Sequence, residues 1–137
     1  MRKKRAVFTV LFVLYLAVLL RITVFRGGWY RQPFFDGEVI WLPFQTIFGY
    51  LTSGQIGYFL YLFIGNLIWF VPFGFCFRLR GLAFWKVILL TAALSVLIEG
   101  LQFIFATGCT ETEDVLLNTA GGAIGALIAG LFRKKKS

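Results

Sequence analysis

Glu99 and Gln102 are three residues apart and Asp114 and Asn118 four apart, so on helices each pair projects from one side. Asn66 is an isolated amide in an apolar stretch, and Arg21 and Arg26 lie at the end of another. Such residues could do several kinds of chemistry. Arginine can fork onto phosphate or carboxylate, and amides can read peptide groups. Glu99 could act as a general base, or Glu99, Glu111, Glu113 and Asp114 could hold a divalent cation for phosphoryl or acyl chemistry on a lipid; capping and solvation account equally for these acids. The chain has no His, which excludes a Ser/His/Asp triad and a His-ligated metal. No nucleophile is evident, no cofactor is expected and no metal site is assigned, which leaves Glu99 as the best catalytic candidate should the chain be an enzyme.

The elements that must position these residues are membrane spans. Of 137 residues, 59% are hydrophobic and 15% charged, whereas a soluble domain is about half apolar and a quarter charged. Four stretches approach the roughly 20 apolar residues that cross a bilayer: about Ala6 to Phe25, Tyr58 to Phe77, Leu82 to Ala106 and Val115 to Phe132. The expected fold is an all-α integral membrane bundle of four transmembrane helices. The net charge of +8 would ordinarily raise nucleic acid as a partner, but its placement argues against that. Arg2, Lys3, Lys4 and Arg5 precede the first run, Arg78, Arg80 and Lys86 lie between the second and third, and Arg133 to Lys136 follow the last. The positive-inside rule puts these flanks and both termini in the cytoplasm. The first run is read as an uncleaved signal anchor, since Arg21 interrupts the place where cleavage would fall.

Between the first two spans, Pro43 suits the first turn of a short helix with Phe44, Ile47, Phe48 and Leu51 on one face. Too short to span, it is expected to lie in the outer interface or to re-enter it; an ordinary hydrophobic loop is the alternative. Pro72 is expected to kink the second span. Gly121, Gly122, Gly125 and Ala126 form a small-residue face that admits close approach of a helix, either from the same chain or from a second copy in a homo-oligomer. Cys76 and Cys109 fall on opposite sides of the bilayer and are expected to be free thiols.

Depth brings the polar residues together. Arg21, Asn66, Glu99, Gln102, Asp114 and Asn118 all fall in the outer half of their spans, with Arg26 at the outer end of the first. Polar groups in hydrocarbon face a partner or a cavity. The expectation is a polar pocket open to the outer surface and built from these seven residues, with Arg21 as the cation for Glu99. The competing reading is structural: Arg21 and Glu99 pair, Arg26 snorkels, Asn66 and Asn118 hold helices together, and Asp114 caps.

The sequence also resembles the VanZ-like family of small bacterial membrane proteins. Arg21-Ile-Thr-Val-Phe-Arg26 and the later Leu42-Pro43-Phe44-Gln45-Thr46-Ile47 are similar to its N-terminal elements, the second to N-L-I-P-F-x-T-I. Asn66 to Phe75 matches N-x-x-x-F-x-P-x-G-F, and Glu99 to Gln102, Thr107-Gly108 and Asp114 to Gly121 match E-x-x-Q, T-G-R and D-V-x-x-N-T-x-G. Two departures stand out: Cys109 replaces the Arg after Thr-Gly, and Glu111 and Glu113 replace an Asp-rich approach to the last helix. The resemblance runs from about Arg21 to Ala129 and implies a bacterial cell membrane, and residues 1–137 are read as a single domain of this kind. The named member of the family is associated with resistance to the glycopeptide teicoplanin.

Three functions compete. One is non-catalytic binding of a lipid-linked envelope precursor, lipid headgroup or glycopeptide in the outward pocket, with membrane lipids as partners and no nucleic acid. The second is an enzyme acting on a lipid-linked envelope substrate. The third is an accessory subunit of a transporter.

Overall fold

A computed structural model describes residues 2–25, 35 and 37–134; Arg26, assigned to the pocket from sequence, lies outside the described residues. In chain order the elements are α1 (Arg2–Thr23), β1 (Glu38–Ile40), α2 (Gln45–Thr52), α3 (Ile56–Leu79), α4 (Phe84–Phe105), β2 (Cys109–Glu111) and α5 (Thr112–Lys134). Four of the helices are long and apolar enough to cross a membrane, over Ala6–Thr23, Ile56–Leu79, Phe84–Phe105 and Thr112–Phe132. The protein is a multi-pass membrane protein with the four-helix architecture read from the sequence. Val10, Leu11, Leu89, Leu97, Leu127 and Leu131 are each more than half exposed, a surface that lipid rather than water covers.

Leu19, Val24, Phe70 and Ile98 form the buried apolar core, joining α1, α3 and α4. The closest packing is between α3 and α5. A Cβ added to Gly121 would stand 2.2 Å from the Leu67 carbonyl oxygen, and one on Gly125 2.0 Å from that of Val71. Gly74 faces the Gly122 carbonyl just as closely. These helices therefore touch backbone to backbone, and they run parallel, since the partners advance together along both. The face of Gly121 and Gly125, open from sequence to the same chain or a second copy, is thus buried within the chain. α4 runs antiparallel to α5, with Thr91 against Gly122 and the Ser95 hydroxyl accepting from the Asn118 amide at 2.8 Å. Pro72 stands inside α3, which continues through it as one helix to Leu79.

The short helix α2 begins at Gln45, two residues later than Pro43 suggests. Phe44 precedes it with φ +64°, so Leu42 to Gln45 turns before the helix starts. Of the expected apolar face only Ile47 is buried, whereas Phe44, Phe48 and Leu51 are exposed. β1 and β2 pair in parallel, with Glu38 opposite Cys109 and Ile40 opposite Glu111. This two-strand ladder, not expected from sequence, fastens the segment before α2 onto the start of α5. α4 ends with Ala106 left-handed (φ +46°), and the Thr107 N–H returns to the Gln102 carbonyl at 3.1 Å, which turns the chain into β2.

Candidate functional site

The site lies where α4, β2 and α5 meet. Glu99, on the last turns of α4, is 4% exposed, and its carboxylate accepts the Glu111 backbone N–H at 3.0 Å. The Glu99 carbonyl accepts the Thr110 hydroxyl at 3.1 Å. β2 is thereby stitched to α4 immediately before α5 begins. Among the described residues Glu99 forms no ion pair. Arg21, expected as its cation, is exposed, and its guanidinium instead donates to the Phe25 carbonyl. The reason is local: Arg21 is in the last turn of α1, and the Phe25 carbonyl, four residues on and just past the helix end, lies within its reach.

Glu111 extends from β2 and accepts the Thr46 hydroxyl of α2 at 3.2 Å. Burial, reinforced by Asp114 and Glu113 nearby, pushes its carboxyl up to about 7. Burial likewise pushes the Cys109 thiol up to about 11, with Glu111 and Glu38 adding to the effect. Cys76 and Cys109 are both free thiols. Glu113 and Asp114 occupy the first turn of α5, where acids suit the positive end of the helix dipole. The Asn66 amide crosses from α3 to donate to the Asp114 carboxylate.

Two cavities flank these residues. One, of about 190 Å³, lies between α1, α3 and α5 and is lined by Thr23, Tyr61, Asn66, Trp69, Phe70 and Asn118 among others. It is the amide cavity, since Asn66 and Asn118 both reach it. The other, of about 520 Å³, is a cleft between β1, α4, β2 and α5. Its walls are Val39, Trp41, Val96, Phe103, Val115 and Leu116, and Glu99 and Glu111 contribute carboxylates to it. Trp41, Val96 and Leu116 are exposed, so the cleft opens on the lipid-facing surface.

Among the described residues, those expected from sequence to share one pocket fall into separate groups. Asn66, Asp114 and Asn118 come together across α3 and α5. Glu99 belongs to the apolar cleft. Gln102 ties α4 to α1 through a 3.1 Å hydrogen bond to the Thr23 carbonyl. Arg21 is brought to neither cavity by any described contact. Thr46 and Thr110 are site residues that depth reasoning missed, because hydroxyls in short polar segments carry no such signal. Thr46 does lie in the Leu-Pro-Phe-Gln-Thr-Ile stretch.

Residues 12–133 match the VanZ/LLP1 family. Over 73 residues the chain is 38% identical to Protein VanZ of Enterococcus faecium. That match covers 52% of this chain and 45% of the relative, so the chain spans less than half of the relative's length in the match. No solved structure matches. With the family match running from within the first span through the other three and including both cavities, the chain belongs to the VanZ/LLP1 family.

Proposed function

We propose that the protein sits in the bacterial cell membrane with both termini in the cytoplasm and binds an amphiphile in the cleft between α4 and α5. The ligand is a lipid-linked envelope precursor, a lipid headgroup or a glycopeptide, and the outcome is glycopeptide (teicoplanin) resistance or a related envelope function. The observation that carries this reading is the cleft itself. Apolar walls open toward lipid to take a chain, while Glu99 and Glu111 offer carboxylates to amine, hydroxyl or amide donors of a head group. The placement of Arg78, Arg80 and Lys86 at the opposite end from the five described acids supports the orientation.

Gly100 lines the cleft and has open space where a Cβ would stand, so Gly100→Leu fills the cleft without displacing backbone. Expression of the protein in a teicoplanin-susceptible bacterium is expected to raise the inhibitory concentration. Gly100→Leu at the same membrane level is expected to return it to that of the host. Equal protection by both forms would remove the cleft from the function.

A further inference from the structure

We propose that the start of α5 holds one hard divalent cation between the carboxylates of Glu111, Glu113 and Asp114. One oxygen from each of the three lies within 4.8 Å of the others. Proximity of acids alone would not identify a site; the decisive side chain is Glu113. It is 1% exposed, and neither of its carboxylate oxygens has a hydrogen-bond partner. A carboxylate buried to this extent with no donor or counter-ion placed against it is strongly disfavoured. The helix N-terminus accounts for acids in this turn but leaves both Glu113 oxygens unmatched.

The surroundings suit an ion. The Thr46 hydroxyl holds Glu111 and the Asn66 amide holds Asp114, partners that fix the direction of a ligating carboxylate. The donors are all oxygen, which selects Ca²⁺, Mg²⁺ or Mn²⁺ over softer metals. Oxygens on one Ca²⁺ stand at most roughly 4.6–5.2 Å apart, and the three carboxylate oxygens, all within 4.8 Å of one another, meet that limit.

The test is equilibrium dialysis of ⁴⁵Ca²⁺ against the full chain in nanodiscs of zwitterionic lipid, after washing with chelator. It is independent of the ligand of the cleft, since neither an envelope precursor nor a glycopeptide is present. Wild type is expected to bind one Ca²⁺ per chain saturably. Glu113→Gln is expected to weaken binding by at least about tenfold, the loss that follows even removal of an outer partner of a metal ligand. Glu38→Gln, an exposed acid at the same end, is expected to change nothing. Thermal unfolding in chelator checks the fold of each variant, and Asp114→Asn is read in the same way should Glu113→Gln unfold. Absence of saturable binding by wild type, or equal loss in Glu38→Gln and Glu113→Gln, overturns the proposal.

Discussion

Asn66 and Asp114 show how a polar residue in a span is made tolerable. The amide donates across the tightest helix pair to a carboxylate in the first turn of α5. Hydrogen bonds to charged groups contribute about 1.5–3 kcal/mol, and Asn66→Ala is expected to destabilise the protein by about that much in thermal unfolding in detergent. Asn66→Asp is expected to be worse, because it sets two carboxylates face to face. This part of the site was legible in the sequence: an amide at that depth must have a partner, and Asp114 and Asn118 share a face at matching depth. The position of Arg21 was not legible, because a backbone carbonyl just past α1, that of Phe25, takes its guanidinium in place of Glu99. Nor does any pattern in Thr-Glu-Asp say which acid of the first turn is buried, and it is Glu113 that is enclosed.

Among elements, α3 and α5 carry the bundle through glycine. Gly121→Ala or Gly125→Ala would drive a methyl group into the Leu67 or Val71 carbonyl, forcing the helices apart. Overpacking of this kind costs typically about 1–3 kcal/mol and occasionally more. Gly130, on the same helix, meets nothing within 4 Å of an added Cβ. Gly130→Ala is therefore expected to be neutral or to gain up to about 1 kcal/mol from helix propensity. Thermal unfolding of the three variants side by side checks the contrast. Spans and small-residue spacing were readable because apolar length and a four-residue repeat are strong local signals. The β1–β2 ladder was not, because two three-residue strands far apart in the chain carry no periodicity of their own. The start of α2 was misplaced because Pro43 serves the turn that precedes the helix rather than its first turn.

At the scale of the molecule, the five described acids gather at one end, and Arg78, Arg80 and Lys86 lie at the other. The acidic end is also where a strand ladder and a short helix overlie the bundle and where a 520 Å³ cleft opens toward lipid. A protein of four spans thus presents one differentiated end, and the account stands on what that cleft takes up. Native mass spectrometry of detergent-extracted wild type, Gly100→Leu and Glu99→Gln reads this directly. Wild type is expected to carry a specific envelope amphiphile, Gly100→Leu to lose it, and Glu99→Gln to retain less of it while still folded. The same lipids on all three proteins in the same amounts would contradict it.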